Sequence, residues 1–269
     1  MSKKSYLPLV ERTNALPLDQ FIERYVPSDR LRLTVSKDSK KKAADSSNQS
    51  AAGGDEHKQQ QGENAVDAST NTNINTDNNN AVYTLDIHTA ESIPESDFEA
   101  CFALIELTSS KDYANSSIGW SPSKKKKEMR LPDMRYILLR RATASTTPPP
   151  TTEEQDQQQQ QQQQLPGFLS FMVTYEDGKE VIYCYEIHLH PSTQGRGLGR
   201  QLMTLFEDIG QRVGLEKAML TVFRANENAV QFYDLLGYVV DESSPQPKKL
   251  RNGTVKESDY LILSKRLRA

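Results

Sequence analysis

A strand-like run, a glycine-rich turn and an amphipathic helix follow one another between Val181 and Val213, an order that confines the chain to folds in which a sheet strand feeds an anion-binding helix start. Val181-Ile182-Tyr183-Cys184-Tyr185-Glu186-Ile187-His188-Leu189 is β-branched and aromatic, the composition of a strand. Leu198, Leu202, Leu205, Phe206, Ile209 and Val213 recur at spacings of three and four, which puts them on one helical face. Between the two, Gly195, Gly197 and Gly199 let the backbone turn sharply and approach a ligand, and Arg196 and Arg200 add positive charge. Several amide donors aimed at one anion would suit a pyrophosphate.

Other strand–turn–helix motifs fit less well. A P-loop needs Gly-Lys-Ser/Thr, and none follows. A dinucleotide fold needs G-x-G-x-x-G near the start of a βαβ unit, whereas this run is G-x-G-x-G and lies late in the chain. A tight turn whose glycines serve packing alone stays open on these residues.

Gln194-Gly195-Arg196-Gly197-Leu198-Gly199 resembles the Q/R-x-x-G-x-G/A signature of the GNAT superfamily of N-acetyltransferases. About thirty residues on, after the strand-like Ala218-Met219-Leu220-Thr221-Val222-Phe223, the segment from Asn226 to Tyr238 resembles that superfamily's N-x-x-A-x-x-F-Y-x-x-x-G-F/Y helix. The resemblance implies a single α/β domain with a mixed, mostly antiparallel central sheet flanked by helices, and acetyl-CoA as co-substrate. Tyr183-Cys184-Tyr185-Glu186, Met219 to Phe223, Asp241 to Pro245, Tyr260 to Ser264, and Gly119-Trp120 ahead of a basic helix are similar to the histone-specific N-terminal branch of the superfamily. That likeness spans residues 82–141 and 165–267.

Composition sets the rest of the organisation. Residues 37–80 hold Lys40 to Lys42, Gln59 to Gln61 and Asn78 to Asn80, and residues 142–164 hold Pro148 to Pro150 and a glutamine run from Gln157 to Gln164. Neither tract can bury enough apolar surface to offset its ordering entropy, so both are expected to be disordered. Roughly 200 residues remain, enough for one core. Residues 1–36 are expected to pack on the core as a helix and a strand-like segment, and 81–269 to form the acetyltransferase domain, with 142–164 as a loop insertion. Elements are expected near 18–24 (helix), 31–35 and 82–88 (strands), 95–107 and 124–129 (helices). Strands near 134–141, 168–176 and 181–189 would form an antiparallel meander. Strand 218–223, helix 226–236 and strands near 238–241 and 259–265 follow. Phe98, Cys101, Phe102, Ile105 and Leu107 are expected to share the buried side of the helix over 95–107.

The chain has two cysteines and four histidines without metal-ligand spacing, so no metal is expected and Cys101 and Cys184 read as core thiols. No apolar run reaches the roughly 18 to 20 residues of a membrane span, and Met1-Ser2-Lys3-Lys4 opens no signal peptide. No membrane partner is expected. Lys124 to Lys127 reads as a solvated helix face, and a net charge of -3 gives no ground for direct nucleic-acid binding.

Glu186 is the only carboxylate between Val181 and Leu189, and the resemblance implies that it is the general base. Simple alternation puts it on the face of Ile182 and Cys184, opposite Tyr183 and Tyr185, unless a bulge intervenes. The resemblance also implies that the backbone of Ile187, His188 and Leu189 binds the pantetheine at a bulged edge, with the Ile187 N–H at the oxyanion. Gln194, Gly195, Arg196, Gly197, Leu198, Gly199 and Arg200 would hold the pyrophosphate. Asn226 would hold the cofactor amide region unless it merely caps its helix. Tyr233 or Tyr185 would supply a proton to the leaving thiolate. Trp120, Thr174, Glu176, Tyr183 and Tyr260 would line the acceptor site, where the superfamily branch carries two acids and this chain has Thr174 and Glu176. Expected partners are the N-terminal tails of histone 4 and histone 2A, with the protein monomeric, in contact with ribosomes, and present in nucleus and cytoplasm. Two other readings are an acetyltransferase for lysine side chains or small amines, and a catalytically silent acyl-CoA-binding module.

Overall fold

The computed structural model describes residues 7–35, 81–142 and 165–268. The chain enters through helices α1 (Leu9–Asn14) and α2 (Leu18–Tyr25), then strands β1 (Arg32–Val35) and β2 (Ala81–Thr89). Helices α3 (Glu95–Ala114) and α4 (Pro122–Met129) precede the meander β3 (Arg135–Arg141), β4 (Gly167–Glu176) and β5 (Lys179–Leu189). Helix α5 (Leu198–Val213), β6 (Lys217–Phe223), helix α6 (Glu227–Asp234), β7 (Val239–Val240), a small hairpin of β8 (Lys248–Lys249) and β9 (Val255–Lys256), and β10 (Tyr260–Arg266) complete it. The main sheet runs β1-β2-β3-β4-β5-β6-β10-β7. Every pairing in it is antiparallel except β5 with β6. This is a mixed α/β fold with a mostly antiparallel central sheet flanked by helices, and the expected meander is present.

The two faces of the sheet carry separate cores. On one, Leu9, Val10 and Phe21 of α1 and α2 and Leu202, Leu205, Phe206 and Ile209 of α5 pack on Leu169, Phe171, Ile182 and Cys184. On the other, Phe98, Cys101, Leu104 and Ile105 of α3 and Met129 of α4 pack on Tyr136, Leu138 and Phe168. The α5 stripe foreseen from periodicity is buried along its length. Gly210 sits on that stripe, where a Cβ would come within 2.7 Å of Ile182 Cγ2, so the helix lies close against β5 only because this residue has no side chain. Pro122 opens α4 at a position where its missing N–H costs nothing. Gly214, at φ +90°, closes α5.

Several expectations need correction. Helix α3 runs seven residues past Leu107, and Leu107 is exposed while Leu104 fills the core place assigned to it. The buried stripe therefore follows 98, 101, 102, 104 and 105. Helix α1 and the β8–β9 hairpin are additional elements. Cys101 and Cys184 are buried free thiols, as expected. The tracts 37–80 and 143–164 lie outside the described residues, so their disorder is not addressed. β3 and β4, which flank the second tract, are antiparallel neighbours as anticipated.

Candidate active site

The site begins with an irregularity in β5. Ser170 pairs with Glu186 and Phe171 with Cys184, which leaves Tyr185 as an extra residue without a partner on β4. The bulge thus falls at Tyr185, just before the stretch foreseen, and it reverses the alternation beyond. Ile182 and Cys184 point to the α5 core, Tyr185 points to the α3/α4 core, and Ile187 and Leu189 return to the α5 side. Glu186 and His188 consequently face α3 and α4 with Tyr185. The facing deduced from simple alternation is wrong, because one inserted residue exchanges the two sides of a period-two strand.

The parallel pairing of β5 with β6 ends at Cys184 opposite Leu220, although β5 continues to Leu189 and β6 to Phe223. The two strands part there and open a cleft of about 230 Å³ lined by Thr108, Tyr113, Glu186, Ile187, Val222 and Tyr233 among others. His188, Leu189, Gln194 and Asn226 also line it.

Glu186 lies within this cleft and is only 7% exposed. Its Oε1 accepts from Lys125 Nζ at 2.8 Å and from the Tyr113 hydroxyl at 3.0 Å, and its Oε2 lies 2.6 Å from His188 Nε2. Lys125 Nζ also donates to the Tyr113 hydroxyl at 2.8 Å and to Glu128 Oε1 at 2.9 Å. Burial works to raise the Glu186 pKa, but His188 and Lys125 outweigh it and hold the carboxyl down at about 2. Burial opposes the charge on Lys125 as well, yet Glu186, Tyr113 and Glu128 keep its ammonium above the ordinary lysine range. The result is a carboxylate that stays ionised at neutral pH. With roughly four lone-pair sites and three donors, it has one site left over, on Oε2.

At the other end of the cleft, Gly195 and Gly197 adopt φ of +71° and +78°, and a Cβ at either would meet nothing within 4 Å. Gly197 is the N-cap of α5 and supplies no side chain to the first-turn amides. Those amides, with the exposed Arg196 and Arg200, fit an anionic group such as a pyrophosphate. Gly199 differs: it lies within the helix, where a Cβ would contact the Phe232 ring at 3.4 Å, so its small size serves packing. Leu198 is buried beneath the turn. The Gln194 amide donates to the Leu189 carbonyl at 3.0 Å and ties the turn to the end of β5. Asn226 does cap α6, its Oδ1 accepting from the Ala229 N–H at 3.1 Å, while it borders the cleft.

The remaining expected residues gather on the α3/α4 side. Met172 packs in that core, so by alternation Thr174 and Glu176 share its face of β4. Tyr183, opposite Met172, hydrogen-bonds Thr221 Oγ1 at 2.6 Å, and its ring lies 5.5 Å from that of Tyr185. Trp120 stacks on Phe102 at 6.0 Å and lies 5.6 Å from Tyr113. Tyr260 opens β10 opposite Phe223, and the neighbouring Asp259 accepts from the Ser117 backbone and hydroxyl, joining the α3–α4 loop to the C-terminal strand. Tyr233 is buried in α6, and that burial, with Cys184 and Glu186 nearby, keeps its hydroxyl protonated well beyond neutral pH.

Sequence reasoning missed Lys125, Tyr113 and Thr108. Lys125 belongs to the run read as a solvated face, yet it is 6% exposed and sits on Glu186. A signal for it existed: Met129, four residues on, is apolar and buried, so the helical period turns Lys125 inward with it. Lys124 and Lys127 are exposed, as expected.

Residues 136–238 match the model of the acetyltransferase (GNAT) family. The chain is similar to N-alpha-acetyltransferase 40 of Saccharomyces cerevisiae, 32% identical over 101 residues that cover 31% of this chain and 35% of that one. It is also similar to L-methionine sulfoximine/L-methionine sulfone acetyltransferase of Salmonella typhimurium, 29% identical over 70 residues that cover 26% and 41%. The chain thus spans well under half the length of these curated relatives. Among solved structures, ribosomal-protein-S18-alanine N-acetyltransferase from Escherichia coli aligns with 69% of this chain and 96% of its own, at 16% identity and a TM-score of 0.41.

Proposed function

We propose that this chain, whose residues 136–238 match the acetyltransferase (GNAT) family model, is a protein N-terminal α-amine acetyltransferase of the histone-specific type D. Acetyl-CoA, the co-substrate of that family, supplies an acetyl thioester. The proposed acceptors are the Ser-Gly-Arg-Gly N-termini of histone 4 and histone 2A. The observation that carries this reading is Glu186, a buried carboxylate with one free acceptor site, in a cleft whose lining reaches Gln194, just ahead of the glycine turn. The partial likeness to a yeast N-alpha-acetyltransferase supports it.

In this reading the amides after Gly197, with Arg196 and Arg200, hold the pyrophosphate, and the backbone of Ile187 to Leu189 aligns the pantetheine arm. The Ile187 N–H supports the carbonyl oxygen as charge develops on it. A carboxylate held at about 2 is a weak base. Glu186 therefore acts chiefly by fixing the acceptor amine and taking its proton as the new C–N bond forms. An α-amine titrates at about 7.7 to 8.0, so a useful fraction arrives already neutral. Tyr233, kept protonated by burial, returns a proton to the departing sulfur, and Tyr185 is an alternative hydroxyl in the cleft lining. Asn226 Nδ2 remains a donor toward the cofactor. The serine would enter beside Tyr183 and Trp120, with Tyr260 across the opening, and the third-residue arginine would meet Glu176. Thr174 stands where a second acid would strengthen that contact. A monomer working in nucleus and cytoplasm, with contacts at the ribosome, completes the proposal.

Mass spectrometry of Ser-Gly-Arg-Gly-Lys incubated with protein and acetyl-CoA is expected to find acetyl on the α-nitrogen, while a peptide with a blocked N-terminus stays unmodified. Acetylation of the blocked peptide on lysine would establish the side-chain reading instead, and no transfer to either peptide would leave the silent binding module. For the cofactor half, acetyl-CoA is expected to raise Tm, and Gly197→Asp to abolish the rise. Its carboxylate repels the pyrophosphate, and its side chain strains a left-handed position. A rise equal to that of the unaltered protein would move the cofactor elsewhere.

A further inference from the structure

The backbone of His188 was expected to serve the cofactor, but its imidazole faces the acceptor side. The ring is buried against Phe168, with centroids 5.6 Å apart. Nε2 lies 2.6 Å from Glu186 Oε2 and Nδ1 lies 2.6 Å from Thr108 Oγ1. Thr108 Oγ1 is also 2.7 Å from the Leu104 carbonyl, one helical turn back on α3.

Proton accounting assigns the tautomer. An ionised carboxylate can only accept, so the hydrogen between Glu186 and His188 belongs to Nε2. Nδ1 of a neutral ring is then a bare acceptor, and Thr108 has one hydroxyl proton to give it. The Leu104 carbonyl competes for that proton but does not require it, since it also accepts within the helix. We propose that His188 is a positioning residue for Glu186 and that Thr108 holds its ring by donating to the bare Nδ1 of the Nε2–H tautomer, an inference that rests on the reading of Glu186 as the carboxylate that receives the acceptor amine.

The consequence is geometric. Lys125 and Tyr113 hold Oε1, and His188 holds Oε2. The carboxylate plane cannot rotate without breaking a buried charge-assisted hydrogen bond. The free lone pair on Oε2 thereby keeps one direction. Without His188 the carboxylate remains, since Lys125 still neutralises it, but its second oxygen is no longer aimed.

The test pairs spectroscopy on the full-length protein without substrate with steady-state kinetics. In protein labelled with 15N-histidine, the His188 Nδ1 resonance is expected in the unprotonated range, and Thr108→Val is expected to move it further from the protonated range as the hydrogen bond is lost. A protonated Nδ1 in the unaltered protein, or no response to Thr108→Val, overturns the assignment. In kinetics, His188→Gln keeps a donor for Glu186 and an acceptor for Thr108, so its kcat should fall less than that of His188→Leu. His188→Leu keeps only bulk and should lower kcat by about ten- to 100-fold, the scale for a misaimed reacting group, with the KM for acetyl-CoA unchanged. Equal rates for the Gln and Leu variants overturn the positioning role. If the unaltered protein acetylates no N-terminus, the function proposed above fails, and the resonances alone still decide whether Thr108 donates to Nδ1.

Discussion

Glu186→Gln is expected to lower kcat/KM for an N-terminal peptide by roughly 100-fold or more, the scale of removing a positioned acid–base group. The amide keeps the shape of the carboxylate but has one acceptor oxygen in place of two and carries no charge. It can no longer serve both Lys125 and the incoming amine. Acetyl-CoA affinity should change little, because in the proposed reading the pyrophosphate is held by the turn at Gly195 and Gly197, which makes no hydrogen bond to Glu186. Raising the pH should recover part of the rate, since more of the α-amine is then neutral without assistance. The measurement is a pH–rate profile for both proteins over the range in which the peptide amine titrates, with Tm recorded alongside to separate catalysis from folding. A profile and rate like those of the unaltered enzyme would remove Glu186 from the chemistry and turn attention to Tyr185 and Tyr233.

Lys125→Met is expected to cost about 3 to 5 kcal/mol of folding stability, because it leaves the buried Glu186 without its ammonium partner. His188 still donates to Oε2, which places the loss toward the lower end of that range. Lys125→Met combined with Glu186→Gln should be more stable than the Lys125→Met single variant, since no uncompensated charge then remains inside. Urea unfolding at neutral pH measures all three variants, and a double variant no more stable than Lys125→Met would show that the pair is not the stabilising unit.

The pH dependence has a definite sign. Glu186 titrates at about 2 in the folded protein, below its ordinary value of 4.5. Its contribution is therefore complete above about pH 4.5 and is lost as the pH falls toward 2. Lys125→Met shrinks the depression, so stability should depend less on pH across that acid window than it does in the unaltered protein.

What the sequence could reveal about the fold came from local regularity. The period of Leu198 to Val213 specified α5 and its buried face, and the β-branched, aromatic runs specified β3, β4, β5 and β6. The glycines at 195 and 197 announced a turn that only left-handed backbone can make, and the structure makes it there. These features are written in neighbouring residues, so no knowledge of the rest of the chain is needed to find them. Tyr185 is different. Nothing in Tyr183-Cys184-Tyr185-Glu186 says that one residue goes unpaired, because a bulge exists only relative to the register of a second strand. That choice turned Glu186 and His188 from the α5 face to the α3/α4 face. The partners waiting there are equally non-local: Lys125 is 61 positions from Glu186, Tyr113 is 73, and Thr108 is 80 from His188. Each of the three has an ordinary place in its own helix and becomes part of a charged cluster only when α3 and α4 pack across the sheet. The sequence by itself therefore determined the antiparallel meander, the glycine turn ahead of α5 and the presence of a single carboxylate between Val181 and Leu189. Tertiary structure decided which way that carboxylate points and which charges hold it, because side-chain direction in a strand follows from register, and electrostatic environment from packing.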